Sequence, residues 1–469
     1  MRTKLAASLH EAILASGLKD GMTVSFHHHL RNGDFVLNAV MEEIAAMGIR
    51  DLTLNASSLF DTHRPLLEHI RNGVVTKILT DYVSAGIGHA ISEGILNTPV
   101  EFRTHGGRAD DICSGKTPID VAFIAAPTSD AMGNCTGKTG RSACGSLGYA
   151  MPDAMHAKKV IVITDNLVPY PLQGWSIPET CVDYVVQVEA IGDPAGIVSG
   201  TTAITRDPVG LVMAKNAAKV IRASGLLQDG FSFQTGAGGA SLAAAAFLKD
   251  MMLKENIRGS FGLGGITGYM VDMLRAGCFE KLMDVQCFDL KAVESIREDP
   301  RHMEISADQY ASAGAKSCVT QNLDVVILGA TQIDTDFNVN VHTDSMGYLM
   351  GGSGGHSDTA AGAQLSMIIA PLFRARLPIV CDRVAAISTP GRDIDVLVTQ
   401  SGIAVNPRRA ELSGRLKAAG LPVVDIFELK EKAEKLTGKP APVSHGDTVA
   451  ANILYRDGSA PCPIYRVKG

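Results

Sequence analysis

Two stretches of this chain, DVAFIAAPTSDAMGN at residues 120–134 and DVVILGATQIDTDFN at residues 324–338, repeat one pattern. Each opens on an aspartate, runs through a hydrophobic segment, and has a second aspartate ten positions on and an asparagine fourteen positions on. Each then leads through a Gly- and Ser-rich segment to a second hydrophobic run, KVIVI at 159–163 or LSMII at 365–369. Such runs are typical of buried β-strands, so the two halves are predicted to share one fold.

An earlier pair of segments supports an internal duplication. GMTVSFHHHLRNGD begins at Gly21 and GFSFQTGAGGA begins at Gly230, and the offsets between matched segments stay between 204 and 209 residues. A chain of 469 residues also exceeds the roughly 250–300 residues that one hydrophobic core supports. The sequence therefore predicts two similar domains, residues 1–223 and residues 224–469, with the boundary near Ser224.

The order of elements predicts the fold class. Short β-rich runs alternate with Ala- and Leu-rich helical stretches, as in MTVSF, then VLNAVMEEIAAMG, then LTLN. This alternation is the βαβ signature of a mostly parallel sheet covered by helices. We therefore expect two open α/β domains that pack closely, with a ligand cleft between them.

Composition excludes several classes of function. A net charge of −6 and an aromatic content of 5% provide neither a basic nor a stacking surface for nucleic acid, and the acidic balance disfavours anionic membranes. The amino-terminal residues lack a sustained apolar segment, and no run of about 18 apolar residues occurs later. Nine scattered cysteines without a C-x-x-C pair indicate reduced thiols. The expected location is the cytoplasm.

Three familiar motifs fail on spacing. GNCTGKT at residues 133–139 has three residues between its glycines, whereas a phosphate-binding Walker loop needs four. No segment satisfies the dinucleotide fingerprint G-x-G-x-x-G. GGHSD at residues 354–358 contains Ser, His and Asp, but adjacent residues cannot converge into a catalytic triad. ATP hydrolysis, NAD binding and serine hydrolysis are accordingly disfavoured.

Glycine turns in the second half point to a different kind of site. QTGAGGAS, GLGGITG and GGSGGHSD each follow a predicted strand and precede a predicted helix. Bare backbone N–H groups in such turns can face a phosphate or a developing oxyanion, although a tight turn without a ligand gives the same sequence. Three such turns in one half favour an acyl or CoA site lined by backbone.

Cationic and imidazole side chains gather at strand ends and glycine turns of the first half. A polyanionic substrate explains the clustering, but solvated loop charges and a capped turn with stacked core histidines also do. The histidine run lacks a Glu or Cys at ligand spacing, so no metal is predicted. The candidate substrate-binding residues are His27, His29, Arg31, Arg103, His105, Lys138 and Arg141.

Four long segments carry a resemblance to a known family. SFHHHLRNGDFVLN, TGKTGRSACGSLGYAMPDAMHA, GAGGASLAAAAFL and GYLMGGSGGHSDTAAGA look like the citrate lyase alpha subunit, and the match covers essentially the whole chain. That subunit resembles CoA-transferases, whose fold is two similar open α/β domains.

The resemblance implies a citrate CoA-transferase. Citrate would displace acetate from an acetylated acyl carrier protein, giving a citryl thioester and acetate. The chain itself would bind no cofactor, because the CoA-like prosthetic group belongs to a separate gamma subunit. A beta subunit would then cleave the citryl thioester, so the expected assembly is an oligomeric complex.

The same resemblance, with the glycine turns, gives expected roles to individual residues. Many CoA-transferases use a Glu nucleophile at the turn that matches GLGGITGYMVDML, but no carboxylate lies between Gly259 and Tyr269. Direct exchange without a glutamyl thioester is therefore expected, with Glu93 as the carboxylate to test for a covalent route. The expected oxyanion and catalytic residues are Gly236, Gly238, Gly239, Gly354, Gly355 and His356, with His356 beside the thioester. The expected CoA-binding residues are Gly262, Gly264, Gly265 and Asp358.

Two alternatives stay open at this point. A related carrier-protein transferase could use malonate or citramalate, which need a different number of cationic contacts around Arg31. A non-catalytic scaffold subunit is compatible with the missing Glu, but it leaves the many polar glycine turns unexplained.

Overall fold

The computed structural model of the protein describes residues 3–198, 203–441, 443–460 and 462–468. Its first large sheet has ten strands. They are β1 (Leu5–Ala6), β2 (Thr23–Phe26), β3 (Leu52–Ala56), β4 (Val75–Thr80), β5 (Val100–Phe102), β6 (Val121–Ala125), β9 (Lys159–Thr164), β11 (Tyr184–Gln187), β26 (His445–Ile453) and β27 (Cys462–Val467).

A second large sheet has nine strands. They are β12 (Ser232–Thr235), β13 (Gly259–Ile266), β14 (Phe279–Cys287), β15 (His302–Glu304), β16 (Val325–Leu328), β19 (Leu365–Ile369), β23 (Val396–Thr399), β24 (Gly402–Val405) and β25 (Val423–Val424). Three small sheets use β7 (Thr128–Asp130), β8 (Cys135–Thr136), β10 (Leu167–Val168), β17 (Gln332–Asp334), β18 (Val339–Asn340), β20 (Phe373–Arg374), β21 (Leu377–Pro378) and β22 (Val380–Cys381).

Helices cover the sheets. They are α1 (Leu9–Ser16), α2 (Val36–Ala46), α3 (Leu66–Arg71), α4 (Ala85–Ser92), α5 (His105–Cys113), α6 (Ala150–His156), α7 (Pro208–Ser224), α8 (Gly239–Glu255), α9 (Gly268–Arg275), α10 (Leu290–Glu298), α11 (Ala307–Ala311), α12 (His356–Gly362), α13 (Ala410–Ala418) and α14 (Ile426–Thr437). Within the described ranges, no helix combines the length and the apolar character needed to cross a membrane.

The predicted α/β class is confirmed. In the first sheet every strand pair is parallel except the hairpin β26–β27, and in the second every pair is parallel except β23–β24. The quoted hydrophobic runs form β6, β9, β16 and β19, and all residues of β6, β16 and β19 are buried. Strands buried on both faces are continuous apolar runs because helices pack on each side.

Seven strands follow the same order in both large sheets. The first sheet contains β11-β9-β6-β2-β3-β4-β5, and the second contains β23-β19-β16-β12-β13-β14-β15. A duplication predicts this correspondence, but the duplication and the boundary after residue 223 remain predictions. The structure adds that the C-terminal hairpin lies in the first sheet, where β26 pairs with β5.

The repeated Asp and Asn residues have the same role in each half. The Oδ1 atom of Asp130 accepts a hydrogen bond from the backbone N–H of Asn134 (3.2 Å), and its Oδ2 accepts from the Asn134 side chain (2.9 Å). Asp334 accepts the same two bonds from Asn338, at 2.8 and 3.1 Å. Each aspartate stabilises the turn that follows it by hydrogen bonds to an asparagine four residues later. Because both partners belong to one turn, their spacing can be recognised from the sequence alone.

Candidate active site

The carboxyl ends of the two sheets face each other, and hydrogen bonds join the segments that follow their strands. The His105 N–H after β5 donates to the Gly354 carbonyl (2.9 Å), and the Gln286 side-chain amide donates to the His28 carbonyl (3.0 Å). The Gly106 N–H donates to the Asp358 carboxylate (2.9 Å). Ligands bind α/β folds at the carboxyl ends of parallel strands, so this cleft is the candidate site.

The histidine run lies directly after β2 and forms part of the buried wall of the cleft. The Ala125 N–H donates to His27 Nε2 (2.9 Å), and the Nδ1 atoms of His27 and His29 are 2.7 Å apart. These contacts assign Nδ1–H of His27 as the donor to His29, and the Nε2 atom of His29 lies 3.3 Å from the backbone nitrogen of Tyr149. Burial lowers the pKa of His27 to about 4 and that of His29 well below its usual value. Both rings are neutral structural links rather than cationic carboxylate ligands.

His28 is also structural. Its Nδ1 atom is 2.6 Å from the Ser57 hydroxyl oxygen, and its ring stacks on Tyr149 with centroids 4.7 Å apart. Burial lowers the pKa of His28 well below its usual value. These contacts favour the stacked-histidine alternative, because all three imidazoles are buried and hydrogen-bonded within the protein itself.

Arg31 differs from the histidines that precede it. Its guanidinium lies over the Phe60 ring (5.3 Å) and the Phe288 ring (4.9 Å), and it has no ion pair or side-chain hydrogen bond within the described ranges. Its backbone has a φ of 52°, a left-handed conformation that is unfavourable for a residue with a side chain. Burial lowers the pKa of Arg31, although an arginine stays charged at neutral pH. The geometry presents a cation held by aromatic rings without a carboxylate.

His105 lies at the first position of α5 and is held by a buried carboxylate. Its Nδ1 atom is 2.8 Å from Oδ2 of Asp81, the residue that follows β4. The ring packs against Tyr149 with centroids 4.3 Å apart. The Nε2 atom faces Gly354, where an added Cβ would lie 3.2 Å away.

The remaining predicted cations are paired. Arg103 is buried with Nε 2.7 Å from an Asp111 carboxylate oxygen, and Lys138 Nζ is 2.8 Å from the Glu304 carboxylate. Arg141 is exposed, and its Nε is 3.4 Å from the Asp165 carboxylate. Each therefore has a structural role that does not need substrate. Of the predicted set, Arg31 has a guanidinium without a polar side-chain partner among the described residues, and His105 has an Nε2 atom without one.

The glycines before α8 divide into two kinds. The Gly236 N–H donates to the Ile327 carbonyl (3.1 Å), so it is already used. The N–H groups of Gly238 and Gly239 have no acceptor among the described residues. Because the first N–H groups of a helix lack intrahelical partners, these two can receive a negative oxygen and Gly236 cannot.

The glycines of β13 are needed for close packing. A Cβ on Gly262 would lie 2.6 Å from the end of Met270, and a Cβ on Gly265 would lie 2.2 Å from the Phe288 ring. Gly264 has a φ of 108°, which disfavours other residues, and it borders the Gln234 side chain. The lack of a side chain at Gly265 of β13 thus leaves room for the Phe288 ring, which lies beside Arg31.

The GGSGGHSD segment contributes Gly354, which lies beside His105, and the buried side chains of His356 and Asp358. Both nitrogens of His356 are occupied, Nδ1 by the Thr389 hydroxyl (2.7 Å) and Nε2 by the Gly329 carbonyl (2.9 Å). Burial lowers the pKa of His356 to about 4. The expected position of His356 beside the thioester is therefore not supported, and His105 is the histidine that faces Gly354.

Asp358 joins the two halves. It is fully buried, and its two oxygens accept from the Thr104 hydroxyl (2.8 Å) and from the Gly106 N–H (2.9 Å). Burial raises the pKa of Asp358 to about 6. These contacts give Asp358 a structural role, since both oxygens hold the start of α5, and its expected role in CoA binding stays a prediction.

Glu93 is poorly placed for a covalent route. It is exposed and caps the C-terminal end of α4, a helix that contacts the C-terminal hairpin β26–β27. The expectation that Glu93 is the carboxylate to test is therefore not supported by its position. A nucleophile must reach the reacting carbonyl, and Glu93 lies on an outer face.

Sequence reasoning missed the cleft residues that are neither glycine nor cationic. They are Phe60, Asp81, Tyr82, Tyr149, Gln234, Gln286, Phe288 and Tyr310. Some of them share a position just after the end of a strand, as Asp81 and Tyr82 do after β4 and Phe288 does after β14, whereas Tyr149 precedes α6 and Tyr310 lies in α11. That signal is weak, because most residues at strand ends serve turns.

Asp284, Cys287 and His302 form a separate buried cluster behind the cleft. Asp284 Oδ2 is 3.0 Å from His302 Nε2 and 3.0 Å from the Cys287 sulfur. His302 Nδ1 is in turn 3.0 Å from the Ser295 hydroxyl. Their polar atoms satisfy one another, and the neighbouring Gln286 extends the network to the His28 carbonyl.

Comparison with known proteins gives one consistent result. The family "Citrate lyase, alpha subunit (CitF)" matches residues 2–467. The citrate lyase alpha chains of Klebsiella pneumoniae and Escherichia coli are each 51% identical to this chain over 465 residues, which is 99% of this chain and 92% and 91% of theirs.

Solved structures agree with the sequence comparison. The alpha subunit of citrate lyase from Streptococcus mutans, solved in complex with citrate, superposes with a TM-score of 0.98 at 50% identity and covers 100% of this chain and 92% of that chain. The alpha subunit of malonate decarboxylase from Acinetobacter baumannii gives a TM-score of 0.69 at 18% identity over 94% of each chain. The second likeness shows a shared fold alone.

Proposed function

This chain belongs to the citrate lyase alpha-subunit family, and from that premise we propose that its cleft exchanges acetate for citrate on the thioester of an acyl carrier protein. It is thus an enzyme, the citrate CoA-transferase subunit of citrate lyase. Citrate lyase alpha subunits function in a multi-subunit complex. We propose that the partners are a gamma subunit, which carries a CoA-like prosthetic group, and a beta subunit, which cleaves the citryl thioester.

One observation carries the substrate proposal: Arg31 is a partly buried cation without a carboxylate partner among the described residues. A buried charge without a counter-charge is costly, so a site that keeps one is complete only with an anionic ligand. Citrate supplies carboxylates, and a guanidinium binds a carboxylate through two parallel hydrogen bonds. Phe60 and Phe288 limit the directions in which Arg31 can move, so the carboxylate meets a fixed donor.

The chemistry proposed for the cleft is acyl exchange through an anhydride. A citrate carboxylate attacks the acetyl carbonyl and expels the thiolate, and the thiolate then attacks the citryl carbonyl and expels acetate. Each addition places negative charge on an oxygen. The N–H groups of Gly238 and Gly239, together with that of Gly355 at the start of α12, are the proposed donors, each contributing about 3–4 kcal/mol.

A direct exchange is consistent with the carboxylates near the cleft. Asp81 is bound to His105 and Asp289 to the Gly268 N–H, and Asp358 is held by two donors. Each of these three carboxylates already accepts hydrogen bonds, and Asp81 keeps one oxygen, the buried Oδ1, without a partner among the described residues. Isolation of an acyl group covalently attached to any carboxylate of the chain during turnover would refute this route.

The substrate proposal is tested with Arg31→Ala and with Arg141→Ala as a matched control. Acetate release from radiolabelled acetyl-CoA, which stands in for the acetylated carrier, is measured against citrate concentration. Loss of a buried charge-assisted contact of about 3 kcal/mol raises the KM for citrate by about 100-fold in Arg31→Ala. Arg141 is exposed, so its variant should match the wild type. An unchanged citrate KM in Arg31→Ala would refute the assignment.

A further inference from the structure

His105 and Asp81 form the one imidazole–carboxylate pair that borders Gly354 in the described chain. The Asp81 side chain is almost completely buried, and its Oδ1 atom has no hydrogen-bond partner among the described residues. Its charge is therefore directed at the His105 Nδ1 atom, 2.8 Å from Oδ2. The His105 side chain retains 12% exposure, and its Nε2 atom has no partner in the described ranges.

The neutral rings and charged side chains around His105 and Asp81 determine the electrostatic environment of the pair. The rings of His28 and Tyr149 face His105 and are neutral, because burial keeps the pKa of His28 low and that of Tyr149 high. Burial raises the pKa of Asp81, and the contact with His105 and the charges of Arg108 and Arg103 oppose that rise. Asp358 at α12 adds a negative charge near His105. The start of α5 also disfavours a cation. The Asp81 carboxylate, 2.8 Å from Nδ1, is therefore the negative group in direct contact with His105.

We propose that His105 is a catalytic residue that protonates the sulfur leaving the acetyl thioester, and that Asp81 is the residue that positions and charges it. When the citrate carboxylate oxygen bonds to the acetyl carbon, the carbon–sulfur bond breaks and its electron pair passes to sulfur. The Nε2–H proton of the His105 imidazolium moves to that sulfur. The products of this half-reaction are the mixed anhydride, the carrier thiol and neutral His105.

The second half-reaction returns the proton. Neutral Nε2 takes the proton from the thiol while sulfur bonds to the citryl carbon, and the bond from that carbon to the acetate oxygen breaks. Acetate leaves as the anion, and His105 is again an imidazolium, so no net proton is taken up. Asp81 stays ionised throughout and keeps Nδ1–H pointed away from sulfur, as buried aspartates do for other catalytic histidines.

This inference rests on the proposed transferase function, and it is tested by the acidity of the leaving thiol. The full chain is assayed with citrate and either S-acetylpantetheine, whose alkyl thiolate needs a proton, or the acetyl thioester of 4-nitrothiophenol, whose thiolate leaves unaided. His105→Gln should lose about 100-fold in kcat with the first substrate and less than about 5-fold with the second. Asp81→Asn should show the same selective loss, and Asp81→Glu should recover part of it.

Each variant is compared with itself across the two thioesters, so a smaller folded fraction cancels. The control is His10→Gln, which removes a matched histidine–carboxylate pair, His10 with Glu43 at 2.7 Å, from the surface. An equal loss with both thioesters, or a rise in citrate KM without a change in kcat, would overturn the proton-transfer role. Failure of the wild type to release acetate in response to citrate from either thioester would instead refute the transferase function itself.

Discussion

Asp358 gives the most quantitative prediction, because a single carboxylate between the two halves couples stability to pH. Its pKa is raised by burial from 3.8 to about 6, and the bonds from Gly106 and Thr104 only partly oppose that shift. The folded state therefore binds a proton that the unfolded state has already lost between about pH 4 and pH 6. The contribution of Asp358 to stability is present below pH 3.8 and is lost as the pH rises through 6.

The size of the effect follows from the two pKa values. Relative to the protonated carboxyl, ionisation lowers the free energy of unfolding by about 1 kcal/mol at pH 4.5 and by about 3 kcal/mol at pH 7.5. Asp358→Asn keeps the shape and removes the titration. The difference in unfolding free energy, variant minus wild type, should therefore rise by about 2 kcal/mol between these two pH values.

The assay is urea unfolding of both proteins at pH 4.5 and pH 7.5, followed by circular dichroism. Asp382→Asn is the control, because Asp382 is exposed and solvent screens its pairing with Lys430 and Lys439. The difference in unfolding free energy between Asp382→Asn and the wild type should change little between the two pH values. The small change should have the opposite sign, because Lys430 and Lys439 lower the pKa of Asp382. A variant-minus-wild-type difference for Asp358→Asn that is the same at both pH values, within about 0.5 kcal/mol, would refute the reasoning.

Two further predictions follow from contacts around the cleft. Gly265→Ala places a Cβ 2.2 Å from the Phe288 ring, which must move off Arg31, so the citrate KM should rise by about 10-fold in the acetate-release assay. The melting temperature should fall as well, because overpacking destabilises the fold. An unchanged KM would contradict the proposed role of the ring. Thr104→Val removes the hydroxyl that caps α5 and donates to Asp358, so the free energy of unfolding in urea should fall by about 2–4 kcal/mol. Thr104→Ser keeps a hydroxyl and should lower it by less than about 1 kcal/mol. Equal losses in the two variants would show that the hydroxyl is not the cause.

Local patterns were enough to establish the architecture. The hydrophobic runs became buried strands because a parallel strand covered on both faces needs an unbroken apolar run. The Asp and Asn spacing was readable because both members belong to one turn, as Asp130 and Asn134 show. The family resemblance was confirmed for the same reason, since contiguous segments carry it.

Tertiary structure decided which of the predicted residues can act. A sequence shows that Arg31 and Arg103 are both cationic. It cannot show that a carboxylate of α5 pairs with Arg103, whereas Arg31 lies between the rings of Phe60 and Phe288 and has no carboxylate partner among the described residues. Likewise, nothing local distinguishes His356, whose two nitrogens are occupied, from His105, whose Nε2 atom faces the cleft. Charge and hydrogen-bonding capacity belong to the residue type, whereas the partners that consume them come from segments distant in the chain.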